Sequence, residues 1–112
     1  MSLTFGWQYA NMGANVLVLN EAILELFARK HNQAKYALED WLGTTKQAAW
    51  QHLMDVRRNF PAADGKVKKQ GYTVFNIRGN NYRLVTLINY KKQIVEVVEV
   101  MTHSQYDRWN KL

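Results

Sequence analysis

Cysteine is missing from the chain altogether. Its absence removes disulfides, thiolate nucleophiles and cysteine metal sites together, and it fits a reducing compartment. Proline occurs once in 112 residues, and no internal repeat, low-complexity tract or interdomain linker marks a boundary. Long apolar runs are lacking too. The longest are of strand length, and the N-terminus has no basic region ahead of a hydrophobic stretch, so neither a membrane span nor a signal peptide is expected. The expected location is the cytoplasm. Acidic residues are the scarce charge, nine Asp+Glu against fifteen Lys+Arg, for a formal net charge of +6. That balance favours a polyanionic partner (RNA, DNA or an acidic protein) over a neutral one, although charge alone fits a solubilising surface equally well.

What remains suits one globular domain with one core, 47% hydrophobic overall. Residues 1–14 have no clear period and read as an arm ahead of a domain at 15–112, with Met12 a candidate start and Met1-Ser2-Leu3 a candidate cloning remnant. The Val-Leu-Val-Leu run of 15–19 reads as a buried strand. Asn20 is the expected N-cap of a helix ending in Arg29 and Lys30 and broken at His31-Asn32; a second helix is expected over 33–46 with an apolar stripe through Leu38, Trp41 and Leu42. The two form a helical hairpin, and pattern alone leaves open whether Gly43 stops the second helix. A short helix is expected within 50–60. The period then changes to two, giving strands near 66–69, 72–78, 82–90 and 94–101 and a last short helical turn around Gln105, Tyr106 and Asp107, capped by Thr102 or Ser104. This is an α+β domain, an antiparallel meander after a helical hairpin.

Candidate chemistry gathers at strand ends. Alternation along 82–91 puts Arg83 and Lys91 on the same side of one strand, the side expected to line a groove. The plain alternative is that Arg83 only pairs with Glu96 or Glu99. His103 falls where a strand exits; imidazole can donate or accept a proton near neutrality, although a lone histidine in such a place is more often structural. His31 and His52 have no ligand-like spacing to His103, so no metal site is expected. These groups together suit metal-free RNA cleavage, in which the ribose 2′-hydroxyl attacks the adjacent phosphorus and the 5′-oxygen leaves. His103 and Tyr106 are the candidates for proton transfer and Arg83 for charge stabilisation, with Arg78, Lys91, Lys92 and Lys68 as RNA-binding cations. Tyr72, Tyr82 and Tyr90 suit base stacking, and suit a core at least as well.

The segments Val74-Phe75-Asn76-Ile77-Arg78-Gly79-Asn80, Tyr82-Arg83-Leu84-Val85, Ile88-Asn89-Tyr90 and Gln93-Ile94-Val95, with the ending Thr102-His103-x-x-Tyr106-Asp107, carry a resemblance. Trp50, Asp55-Val56 and Phe60-Pro61 support it. Together they resemble the HigB toxins of type II toxin–antitoxin pairs, within the RelE/ParE-like superfamily. The resemblance implies a RelE-like fold, with an N-terminal strand and helical hairpin packed on a mainly antiparallel sheet of four to five strands. It implies an mRNA interferase without a cofactor, acting at translating ribosomes and neutralised by a HigA-like helix-turn-helix antitoxin. It matches Arg78, Arg83, Lys91, His103, Tyr106 and Asp107 to the family's motifs and leaves Asn76 and Asn80 to shape the hairpin. ParE-like relatives bind DNA gyrase without catalysis, and a non-catalytic RNA-binding regulator is a third reading.

Overall fold

A computed structural model of the chain describes residues 15–112; the arm expected at 1–14 lies outside them. In chain order the elements are β1 (Leu17–Leu19), α1 (Glu21–Lys30), a 3-10 turn (Asn32–Ala34), α2 (Lys35–Lys46), α3 (Leu53–Asn59), β2 (Asp64–Val67), β3 (Tyr72–Ile77), β4 (Tyr82–Asn89), β5 (Ile94–Thr102) and α4 (His103–Lys111). The five strands form one sheet in the order β1-β5-β4-β3-β2, with β1 parallel to β5 and the other pairings antiparallel.

Helices cover both faces of the sheet. On one face, Leu24 and Ala28 of α1 and Leu38, Trp41 and Leu42 of α2 recur at helical spacing and bury against Phe75, Ile77, Leu84, Val95, Val97 and Val100. Phe75 is fully buried, with Trp41, Trp50 and Phe60 rings 5.2–6.3 Å from its own. Gly43 is buried inside α2, which runs on through it to Lys46. On the opposite face, Val67, Val74, Val85 and Met101 form a smaller cluster under Tyr106 and Trp109 of α4.

One irregularity assigns residues to these faces. Opposite Val85 and Thr86 of β4 stand Glu99 and Val97, so β5 carries one extra residue, Val98. A bulge of this kind resets the two-residue alternation. Val97 and Val100 thereby both reach the main core, while Met101 reaches the smaller cluster.

Three local expectations need correcting. Asn20 precedes α1 in a left-handed conformation (φ 67°) and makes no side-chain cap; its Nδ2 instead donates to Val97 O of β5 at 3.2 Å. Asparagine tolerates that backbone, which lets the chain turn sharply from edge strand to helix. The expected C-terminal turn is a nine-residue helix. The two-residue alternation was also carried on to Lys91, which lies past the end of β4 in the following turn.

Candidate active site

The site is built where the β3–β4 turn meets the start of α4. Arg78 and Gly79 both take positive φ, 53° and 64°, and Asn81 N donates to Arg78 O at 3.2 Å to close the turn. His103 N donates to Asn81 O at 2.9 Å, which satisfies one of the otherwise unpaired amides of the first helical turn and ties α4 to the hairpin. Thr102 caps the helix with a full capping box: its Oγ1 accepts from Gln105 N at 3.2 Å, and Gln105 Oε1 accepts from Thr102 N at 2.9 Å. Removing the hydroxyl in Thr102→Ala should lower stability by about 1 kcal/mol. A lower urea midpoint at unchanged slope is the expected reading.

Arg83, near the start of β4, stands opposite Met101 of β5 and faces α4. Its Nη1 donates to Asn80 O at 3.1 Å and to Tyr82 O at 3.2 Å, and its Nη2 to Asn80 Oδ1 at 2.5 Å. Nη2 also lies 3.1 Å from His103 Nδ1. A guanidinium only donates, so Nδ1 is the acceptor there and the imidazole proton belongs on Nε2. Nε2 lies 3.3 Å from Asp107 Oδ2, one helical turn along α4. The line Asn80–Arg83–His103–Asp107 is thus one connected polar chain. Its imidazole and carboxylate side chains are 46% and 51% exposed, open to an incoming ligand.

Tyr106 lies beneath this line, buried, with its ring centroid 5.7 Å from Arg83 Cζ. Burial raises its pKa above the usual phenol value, the Asp64 carboxylate adds to the rise, and Arg83 acts the other way. At neutral pH the group is therefore a phenol, able to donate a proton but not to accept one.

His103, Arg83 and Tyr106 are brought together, with Arg78 on the adjoining turn. The alternative of a carboxylate pair for Arg83 is not realised: among the described residues none ion-pairs with it, and Glu96 and Glu99 sit farther along β5, opposite Leu87 and Val85. Lys91 and Lys92 lie in the turn after β4, at its other end, on the order of 20 Å from Arg83 by strand rise. The expected groove holding Arg83 and Lys91 together is therefore corrected to a cluster at one strand end. Lys68 sits on the β2–β3 turn, its Nζ 4.7 Å from the Trp109 ring centre. His31 stacks on Phe27 at 4.3 Å and borders Tyr82, a packing role, while His52 precedes α3, 3.8 Å from Asp55 Oδ2.

Two parts of the line were missing from the expected catalytic set. Asn80 was given only a turn-shaping role, yet it holds the guanidinium through both backbone and side-chain oxygens. Asp107 was matched by resemblance but given no role; its i, i+4 spacing from His103 is the signal that places it, once α4 is known to be a helix.

Residues 34–109 match the HigB toxin family, described as the RelE-like toxic component of a toxin–antitoxin system. The mRNA interferase toxin HigB of Escherichia coli K12 is 28% identical over 90 residues, 80% of this chain and 86% of that protein. The mRNA interferase HigB of Shigella flexneri has the same identity and coverage. The mRNA interferase HigB of Escherichia coli O6:H1 is 25% identical over 91 residues, 81% of this chain and 88% of that protein.

Proposed function

The chain belongs to the HigB toxin family, RelE-like toxic components of toxin–antitoxin systems, and from that premise we propose that it is an endoribonuclease cutting messenger RNA. The observation that carries the proposal is the connected line from Arg83 through His103 to Asp107 beside the exposed hairpin turn.

In the free protein Arg83 occupies the His103 Nδ1 lone pair. When a phosphodiester arrives, the guanidinium turns to its non-bridging oxygens, which it can grip by two parallel bonds. Nδ1 is then open to the ribose 2′-hydroxyl. His103 takes the 2′-proton, the 2′-oxygen forms its bond to phosphorus, and the bond to the 5′-oxygen breaks, leaving a 2′,3′-cyclic phosphate and a 5′-hydroxyl. Asp107 stabilises the imidazolium formed in that step, as a carboxylate behind a catalytic histidine does. Tyr106 supports Arg83 from below and, held as a phenol, is the candidate to return a proton to the leaving oxygen. Arg83 offsets the charge that builds on the phosphoryl oxygens.

We place the reaction in the cytoplasm on translating ribosomes, with a HigA-like helix-turn-helix antitoxin as the neutralising partner. Among the described residues no helix is long and apolar enough to cross a membrane. Incubating the purified protein with ribosomes and a message, and mapping the new 5′ ends, should reveal discrete cuts. A 2′-deoxy nucleotide at a mapped cut should abolish it. If no message is cut while gyrase supercoiling is blocked, the ParE-like reading replaces this one.

A further inference from the structure

The aromatic surface under the site does not stop at Tyr106. Trp109, one turn on, has its ring 5.6 Å from that of Tyr106 and 5.5 Å from that of Tyr72 on β3. Beside it opens a groove of about 490 Å³, lined by Lys68, Lys69, Gln70, Tyr72, Trp109, Asn110 and Leu112, its two charged side chains both cationic. The Lys68 ammonium sits over the Trp109 ring at 4.7 Å, and Trp109 and Tyr72 are only half-buried. Lys68 is also held in the left-handed backbone region (φ 60°), where Gly or Asn would sit with less strain.

We propose that this groove is a second nucleotide subsite, in which a base of single-stranded RNA stacks on Trp109 in place of the Lys68 ammonium. Lys68 and Lys69 then take the adjoining phosphate. The proposal rests on the RNA-cleaving reading above and deepens it. Cations and a ring face are the two parts from which single-strand sites are built, and a ring reads any base by its π-face. Trp109 lies six positions along α4 from His103, roughly 9 Å along the axis. At the ~3.4 Å spacing of a stacked strand this is a few nucleotides. The subsite therefore holds RNA flanking the scissile bond and leaves the bond itself to Arg83 and His103. In the free protein Lys68 keeps the ring face covered, and binding exchanges one favourable cation–ring contact for a base–ring contact plus an ion pair.

The test is anisotropy of a labelled 2′-O-methyl oligoadenylate of about 12 nucleotides, within the length one single-strand site covers. It cannot be cut by 2′-hydroxyl attack. Trp109→Leu, which keeps apolar packing but has no ring, should weaken binding about tenfold, and Trp109→Phe should restore most of it. Lys68→Gln should reduce the slope of log affinity against log salt by about 0.7. Equal affinity for Leu and Phe at Trp109, an unchanged slope for Lys68→Gln, or no binding by the wild type would each overturn the subsite. Message cleavage is read separately: a wild-type protein that cuts RNA while Trp109→Leu binds and cuts normally loses the subsite alone. A wild type that binds with these variant effects but never cuts loses the nuclease reading instead.

Discussion

His103→Ala should reduce the rate of message cleavage by about 10²–10⁴-fold, the usual contribution of a positioned proton-transfer group. The loss belongs in kcat, because the imidazole acts on the 2′-proton in the transition state and adds little to holding RNA beforehand. Fold should be preserved: His103 enters α4 through its backbone N–H to Asn81 O, which alanine keeps, and the Thr102 cap is untouched. Asp107→Asn makes a graded companion. It leaves an oxygen to accept from Nε2 but removes the charge that stabilises the imidazolium, so its loss should fall between wild type and His103→Ala at unchanged KM. Single-turnover cleavage on ribosomes, with thermal unfolding as a control, measures both. Wild-type rates for His103→Ala would remove His103 from the chemistry.

Arg83→Ala should be comparably severe, about 10²–10³-fold in kcat, from loss of stabilisation at the phosphoryl oxygens. Arg83→Lys should recover little of it. A lysine brings the charge but not the planar fork, and it cannot bond Asn80 O, Asn80 Oδ1 and His103 Nδ1 in the same geometry. The pair of variants therefore separates charge from shape. If Arg83→Lys cleaves as fast as wild type, a point charge is sufficient and the fork has no role. KM should rise as well, since the phosphate contact is made in the bound state too.

The meander was legible because its strands keep a two-residue period apart from the extra residue of β5, and the second helix because Leu38, Trp41 and Leu42 keep a helical one. The parallel docking of β1 beside β5 was not, since it joins residues 77 positions apart, Leu17 and Ile94, and no local pattern records such a pairing. The length of α4 escaped for a different reason. Apart from Tyr106 and Trp109 its side chains are mostly polar, so two aromatics at i, i+3 are all that shows which face is buried. In the site, alternation set Arg83 on the β4 face expected to line a groove, the face that α4 covers in the structure, but side and end are separate coordinates. Lys91 shares the parity of Arg83 in sequence but lies past the far end of the strand, in the following turn. The role of Asn80 depends on a turn geometry, with Arg78 and Gly79 left-handed, that residue types suggest only in outline.

The extra residue in β5 has a consequence for how such a chain can change length. Val98 lies between the part of the strand that fills the main core and the part that delivers Thr102 and His103. Taking Val98 itself out would only close the bulge, with Val97 and Glu99 still opposite Thr86 and Val85, whereas a residue lost between Glu99 and Thr102 would exchange the two sides beyond it and launch α4 from the wrong face. The turn after β4, away from α4, faces no such arithmetic. Length can drift there, while the spacing from Glu99 to His103 is counted out residue by residue.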